Sequence, residues 1–540
     1  MTGRAFGQTA TGLPIAVVTA DQAADYDRAA IASGIPSRAL MQRAGAAAAS
    51  EIARRWPRAL RRGIAIYTGP GNNGGDGWVV AGAMAAAGIH TRVREIAEPR
   101  SDDARAEREN AFPLIDRGSP HGGEEVIVDA LLGTGSSGMP RGAIADAIRE
   151  IADRRSHGAR VVALDVPSGL DATTGSAEGS VVADLTLTFG TMKRGLLVSR
   201  GPAGRIAVID IGLGKLLGWT HDDAVVLTRP TPGTAVEPRL VDARWARARV
   251  PRISAEAHKG VRGKLAIVGG APGMVGASIL AARAAIASGV GMTRLVVDRA
   301  NLATVQTAAY DAMATSWPND DDEMATAIGD WADGVILGPG LGTGRAARDL
   351  AERVLRGWTG PVVIDADALN VFAGDQPTLR DLIGGRPALL TPHAGELARL
   401  LGVSPDEVLA NRFDIGGSIA RDLQCAVLLK GVPTIVTSPS GQTLISASGT
   451  PVLAMAGSGD LLSGIAGTLL AQGVEPSTAG AAAAVLHGRA GEIADRRARS
   501  VRGVAIADIL RAVPMVWAEA DRLSSPPVLA ELPAVGDADR

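Results

Sequence analysis

Residues 64–88 read IAIYTGPGNNGGDGWVVAGAMAAAG, and this run decides the fold class. It opens with a short apolar stretch of strand character, Ile64–Thr68, and closes with the helix-forming WVVAGAMAAAG. Between them, Gly69–Gly77 contains only Gly, Pro, Asn and Asp. A buried strand that turns through glycines into a helix is one half of a βαβ unit. Glycine also permits φ > 0 and lets backbone N–H groups come close to a phosphate. Recognition by backbone leaves the side chains of Asn72, Asn73 and Asp76 free. A plain strand-to-helix turn needs two or three glycines, so this composition points to a binding site.

The same alternation extends in both directions. Strands are expected at VIVDALL from Val126, VVALDV from Val161, LTLTFG from Leu185 and IAVIDIG from Ile206, with helices over ADQAADYDRAAIASG and SRALMQRAGAAAASEIARRW before them. The pattern fades between about Leu227 and Pro251, where RPTPGTAVEPRL supplies turn residues. A second series follows in KLAIVGG, TRLVVD, GVILGPG, PVVIDAD, ALLTPH, AVLLKG and TIVTSP. The expected division is a domain over 14–228, a linker over 229–250, a second domain over 251–523 and a disordered tail over 524–540. Both domains are expected to be α/β, the first with a doubly wound parallel sheet.

Composition narrows the function classes. Aromatic residues are 3% of the 540, too few for base-stacking platforms, and 55 Lys plus Arg against 57 Asp plus Glu give no basic field for nucleic acid. The lone Cys425 excludes an internal disulfide and a thiolate-cage metal site, and it reads as a small buried hydrophobe. No apolar run is long enough for a membrane span or a secretory leader, so a cytoplasmic protein is expected by default. A homo-oligomeric state is also expected.

In the first half, three strands end in polar, glycine-rich tips. Beside Gly69–Gly77 stand Asp129 with the loop Gly133, Thr134, Gly135, Ser136, Ser137, Gly138 and Met139, and then Asp165, Pro167, Ser168 and Asp171. Such tips gather at the carboxyl edge of a parallel sheet, where ligands bind. Singly, each acid could be a helix cap or an Asx-turn, the preferred reading for Asp171. GPGNNGGDG, VDALLGTG and DVPSGLD together resemble the NAD(P)H-hydrate epimerase domain, a Rossmann-like fold, from about Val17 to Val226. That resemblance implies a hydrated cofactor held by Asn72, Asn73, Gly74, Gly75, Asp76 and the Gly133–Met139 loop. It further implies a potassium ion on Asn73, Asp129 and Ser168, and Asp165 as acid/base at the hydroxyl-bearing ring carbon. Lys193 reads equally as flanking this crevice or as an ordinary surface lysine.

In the second half, HKGVRGKLAIVGG (from His258), GPGLGTG (from Gly338), DADALN (from Asp365), TPHAGE (from Thr391), KGVPTIV (from Lys430) and AGSGDLLSG (from Ala456) occur in order. Gly457, Ser458 and Gly459 would present N–H groups at a helix start as an anion hole for a phosphoryl group. Asp460 on the same turn is placed to take a proton from an attacking hydroxyl. Its plainer alternative is a helix N-terminal acid worth about 0.3–1 kcal/mol. His393 is by base rate a satisfied loop histidine, but the surrounding motifs favour ligand contact.

This half resembles the ribokinase-like fold, and more closely the ADP-dependent NAD(P)H-hydrate dehydratases, over about Ala257 to Trp517. The resemblance implies that Lys430, Gly431, Val432, Pro433, Thr434 and Gly459 hold AMP or ADP, with Mg2+ on the phosphates. Ala277, Gly340, His393 and Asp460 would contact the hydrate. Met455 and Ala456 replace the Thr and Gly usual before GSGD. Taken together, the halves imply an enzyme that epimerises NADHX and NADPHX and dehydrates the S form with ADP. The alternative is a ribokinase-like small-molecule kinase fused to a non-catalytic nucleotide-binding module.

Overall fold

Strands and helices form where the alternation places them in the computed structural model, which describes residues 15–116, 122–213, 237–519 and 526–535. The described residues fall into two compact units, 15–213 with 526–535, and 237–519.

The first unit contains β1 (Ile15–Val18), β2 (Ile64–Thr68), β3 (Thr91–Glu95), β4 (Val126–Ala130), β5 (Arg160–Leu164), β6 (Leu185–Phe189), β7 (Met192–Lys193) and β8 (Arg205–Ile209). Its main sheet runs β8-β6-β5-β4-β2-β3, all parallel, so every strand delivers its C-terminal tip to one edge. Alternate residues of β2 enter two cores: Ile64 and Ile66 pack with Leu40, Ala44, Ile52 and Trp78, while Ala65 and Tyr67 pack with Ile148 and Ile151. That is the mark of a sheet covered on both faces. β1 pairs with β7 in parallel, setting Val18 opposite Lys193.

The second unit contains β9 (Arg239–Val241), β10 (Lys264–Val268), β11 (Met292–Val297), β12 (Met313–Ser316), β13 (Gly334–Leu337), β14 (Val362–Ile364), β15 (Ala388–Leu390), β16 (Ala426–Leu429), β17 (Thr434–Thr437) and β18 (Thr443–Ser446). Their order is β12-β11-β10-β13-β14-β15-β16-β17-β18-β9. The strands are parallel from β12 to β16, and β17 runs antiparallel to both its neighbours. Leu265 and Ile267 of β10 enter one core, Ala266 and Val268 the other. Cys425 is buried, as expected, and burial pushes its thiol up to about 12. Among the described residues no helix is long and apolar enough to cross a membrane.

Three expectations are corrected. The tail over 524–540 is not disordered throughout: Val528–Leu532 adds an antiparallel strand to β8, and Glu531 pairs with Arg55 at 2.7 Å and Arg205 at 3.0 Å. Alternating VLAEL can occupy a sheet edge despite its proline-rich flanks. The linker over 229–250 is structured in its second half, where β9 joins β18 and Asp242 caps the helix Ala243–Arg249; the residues 229–236 lie outside the described ones. Finally, Gly69–Gly77 is not a continuous loop, because the helix starts at Asn72.

Candidate active sites

The helix Asn72–Ala86 begins with NNGGDG, a sequence of poor helix formers, because packing overrides propensity there. A Cβ on Gly74 would lie 2.0 Å from Gly69 O, and one on Gly77 2.6 Å from the Ala130 methyl. Close approach, not left-handed backbone, is what these glycines supply; none of Gly69, Gly71, Gly74, Gly75 or Gly77 has positive φ.

That approach lowers Asn73 onto the tips of β4 and β5. The Asn73 Nδ2 donates to Leu132 O at 2.9 Å, while its Oδ1 is buried without a partner among the described residues. Asp129 is fully buried: its Oδ1 accepts from Ser168 Oγ at 2.6 Å and from Leu131 N–H at 3.2 Å. Its Oδ2 accepts from Ser168 N–H at 2.8 Å. Burial pushes this carboxyl up to about 6, against the pull of those hydrogen bonds. Ser168 Oγ also accepts from Leu132 N–H at 2.8 Å. The three proposed potassium ligands thus meet around Leu132, with an orphaned amide oxygen among them.

Asp165 sits at the tip of β5 with φ 66°, a strained position for a residue with a side chain. Its Oδ1 accepts from the ammonium of Lys193, which is itself buried and donates also to Thr188 Oγ1 at 3.0 Å and Phe189 O at 2.9 Å. Lys193 therefore belongs to the crevice and is not a surface lysine. Desolvation, reinforced by the carboxylates of Asp165 and Asp27, lifts Asp76 well above the carboxylate range. Asp27, on the exposed face of the helix Ala20–Ala32, carries no motif that would have singled it out.

Other first-half residues have plainer places. Asn72 is exposed and accepts from Ser101 Oγ at 2.9 Å, and Gly75 is buried against Met41. Gly133 packs on the Asn73 side chain, and the loop Thr134–Met139 lies beyond it, with Met139 54% exposed. Asp171 makes an Asx-turn, accepting from Thr173 N–H at 2.9 Å and Thr174 N–H at 2.7 Å.

In the second unit the helix Ser458–Ala471 starts after Gly457, at φ 88°. Ser458 N–H is taken by Met455 O at 3.3 Å, so it does not serve the anion hole expected of it. The N–H groups of Gly459 and Asp460 have no partner among the described residues, as the first turn of a helix dictates. Lys430 brings its Nζ to 3.6 Å from where a Cβ on Gly459 would be. Burial, with the nearby carboxylates of Asp365, Asp367 and Glu396, pushes Asp460 up to about 7 against the pull of Lys430.

Lys430 directly follows β16 and ties the site together. Its Nζ donates to Asp365 Oδ1 at 2.9 Å and lies 3.4 Å from Glu396 Oε2; these partners hold its protonated form against burial. Asp365, Glu396 and Ser463 are not among the site residues expected from sequence; the signal for the two acids is that DADALN and TPHAGE carry them at strand ends, and Ser463 lies within AGSGDLLSG. His393 caps the helix Ala394–Leu401, its Nδ1 accepting from Gly395 N–H at 2.9 Å, so the satisfied-histidine reading holds for that nitrogen. Its side chain remains 51% exposed, leaving Nε2 near Glu396 Oε1 at 3.5 Å.

Gly340 and Ala277 share one junction: Gly340 O accepts from Ala271 N–H at 2.7 Å, and a Cβ on Gly340 would lie 2.2 Å from Met274 O, just before the helix Val275–Ala287. Ala281, Ala284 and Ala285 are buried in helix packing, while Ala277 is partly open. Gly431–Thr434 forms the turn after Lys430, with Val432 61% exposed beside Pro433 and Thr434 Oγ1 donating to Gly431 O at 3.0 Å.

Comparison with known proteins bears on both units. Residues 265–514 match the family described as NAD(P)H-hydrate dehydratase, and residues 37–195 match that described as YjeF-related protein N-terminus. The chain is 36% identical over 530 residues to the bifunctional NAD(P)H-hydrate repair enzyme of Moorella thermoacetica, covering 93% of this chain and 96% of that protein. The Escherichia coli protein of the same name is 34% identical over 520 residues, covering 94% and 95%. Among solved structures, the ADP/ATP-dependent NAD(P)H-hydrate dehydratase from Bacillus subtilis, co-crystallized with ATP/Mg2+, aligns at 27% identity with a TM-score of 0.45, covering 51% of this chain and 96% of that one.

Proposed function

The chain belongs to the bifunctional NAD(P)H-hydrate repair enzymes, and from this we propose that its two units act in turn on one damaged cofactor. The first unit interconverts the R and S hydrates of NADH and NADPH. The second dehydrates the S form with ADP, releasing AMP and phosphate. The observation that carries this is Asp460, half-buried on a helix turn whose free N–H groups and neighbouring Lys430 make room for a phosphoryl group.

Hydroxide is a poor leaving group, so the ring hydroxyl must first be converted into a better one. Asp460 takes the hydroxyl proton as the oxygen attacks the terminal phosphorus of ADP, and AMP leaves. Gly459 and Asp460 N–H, with the Lys430 ammonium, take up charge on the transferring group. The ring nitrogen's lone pair then expels phosphate to leave an iminium ion, and loss of a proton from the adjacent ring carbon restores the dihydronicotinamide. Mg2+ would accompany the nucleotide through its phosphates and water.

In the first unit, Asp165 is the acid/base for inversion at the hydroxyl-bearing carbon while Lys193 holds its carboxylate in place. Asn73, Asp129 and Ser168 supply amide, carboxylate and hydroxyl oxygens, the hard donors an alkali cation takes, and the orphaned Asn73 Oδ1 fits such an ion. Bound there, potassium would lend positive charge beneath the hydrated ring. Asn72, Asp76 and the Gly133–Met139 loop would border the substrate.

Purified protein mixed with both epimers of NADHX and ADP tests this. Complete regeneration of NADH with equimolar phosphate release supports it. The kinase alternative, disfavoured by full-length similarity to bifunctional repair enzymes, would instead leave a stable phosphate ester.

A further inference from the structure

No expected nucleotide or substrate residue neighbours Asp365 in sequence, yet it is 1% exposed and both its oxygens are used. Oδ1 accepts from Lys430 Nζ at 2.9 Å, and Oδ2 accepts from Ser463 Oγ. Ser463 lies on the helix that carries Asp460, and its Oγ also approaches Gly459 O at 3.2 Å. The backbone around Asp365 is equally confined: a Cβ on Gly338 would lie 1.8 Å from Asp365 O.

Resting on the phosphoryl-transfer reading above, we propose that Asp365 is the positioning residue of the dehydratase site, joining the Lys430 ammonium to the first turns of the Asp460 helix. A buried carboxylate whose role was only to neutralise Lys430 would need one oxygen for the task, and Glu396 already stands 3.4 Å from that ammonium. The second oxygen reaches past Lys430 to the helix that presents Gly459 and Asp460. One side chain thereby fixes the cation, the N–H groups and the base relative to each other, the requirement for a preorganised phosphoryl site. Asp365 is also the leading charged neighbour that lifts Asp460, ahead of the opposing Lys430 and of Asp367 and Glu396.

The test compares full-length enzyme with Asp365→Asn, Asp365→Glu and Ser463→Ala, measuring kcat and KM for ADP across pH on the S epimer. Asp365→Asn is expected to lower kcat roughly ten- to hundredfold, the size of a lost charged hydrogen bond. It should also move the acid limb of the profile to lower pH, because one negative neighbour of Asp460 is gone. Asp365→Glu should return the limb toward its original place while kcat stays low, since charge is restored and position is not. Ser463→Ala should lower kcat with the limb unmoved. An Asp365→Asn enzyme with unchanged kcat and an unmoved limb would overturn the proposal. Were that variant unable to fold, unchanged kcat in Ser463→Ala would overturn it instead. Failure of the underlying reading is separately visible: the unsubstituted enzyme would then regenerate NADH without consuming ADP.

Discussion

Ser168 and Asp129 meet twice, Oγ to Oδ1 at 2.6 Å and N–H to Oδ2 at 2.8 Å, at a depth where neither exposes any surface. Asn73 completes the group with an amide oxygen that bonds to nothing described. Burying three oxygen functions with one left unsatisfied costs about 1–3 kcal/mol unless a cation takes it up. Replacing potassium by a large organic cation should therefore slow R–S interconversion about tenfold or more, and Asn73→Ala should do the same in potassium. Dehydration of pure S epimer should not change. Chromatographic separation of the epimers over time reads both.

The Lys193–Asp165 pair predicts a loss of two kinds. Lys193→Met leaves Asp165 without its cation, and removing one partner of a buried pair costs about 3–5 kcal/mol. Thermal unfolding should fall accordingly, and epimerisation should fall with it. Asp165→Asn removes use of the R epimer while leaving the S epimer a substrate; unchanged R turnover would refute the role given to Asp165.

Asp460 sets a pH dependence with opposite signs for activity and stability. Its carboxyl is pushed up to about 7 by burial, so the base form is lost below that value. Dehydration kcat/KM should rise through about pH 7 and drop about tenfold for each unit below it. The folded protein keeps this proton up to about 7, whereas the unfolded chain releases it near the ordinary 3.8. The folded state thus binds more protons between those values, and this group's contribution to stability declines as pH rises across them. Asp460→Asn should therefore gain Tm over its parent at about pH 8 and gain little at about pH 4.

Gly459 separates stability from activity. Its missing Cβ would make only an ordinary contact, 3.6 Å from Lys430 Nζ, so Gly459→Ala should fold and keep its unfolding free energy within about 1 kcal/mol of the parent's. The methyl would occupy the approach to the free N–H groups. We expect dehydration to fall at least roughly tenfold while epimerisation is untouched.

The sheet interiors are legible in the sequence because β2, β4, β5 and β10 are mostly apolar runs and β6 is a Leu–Thr alternation, with glycine or acid at or near their ends. Edge strands are not. Thr91–Glu95 carries two arginines and a glutamate, and Val528–Leu532 hides beside prolines, so neither shows the pattern of a buried strand. NNGGDG has the local propensity of a loop, and the close approach to Gly69, Met41 and Ala130 that its glycines allow is not visible in the sequence. The turn at Asp171 is legible because an Asx-turn is local. Lys193, Asp365 and Ser463 form their bonds across 28, 65 and 98 residues of chain, and no spacing within a motif reports such pairings.

The most direct measurement follows both activities in one variant. Asp460→Asn, supplied with a mixture of NADHX epimers and ADP, should regenerate no NADH and release no phosphate, yet still bring separated R and S forms to the same equilibrium as the parent. NADH regenerated at the parental rate by that variant would contradict the account.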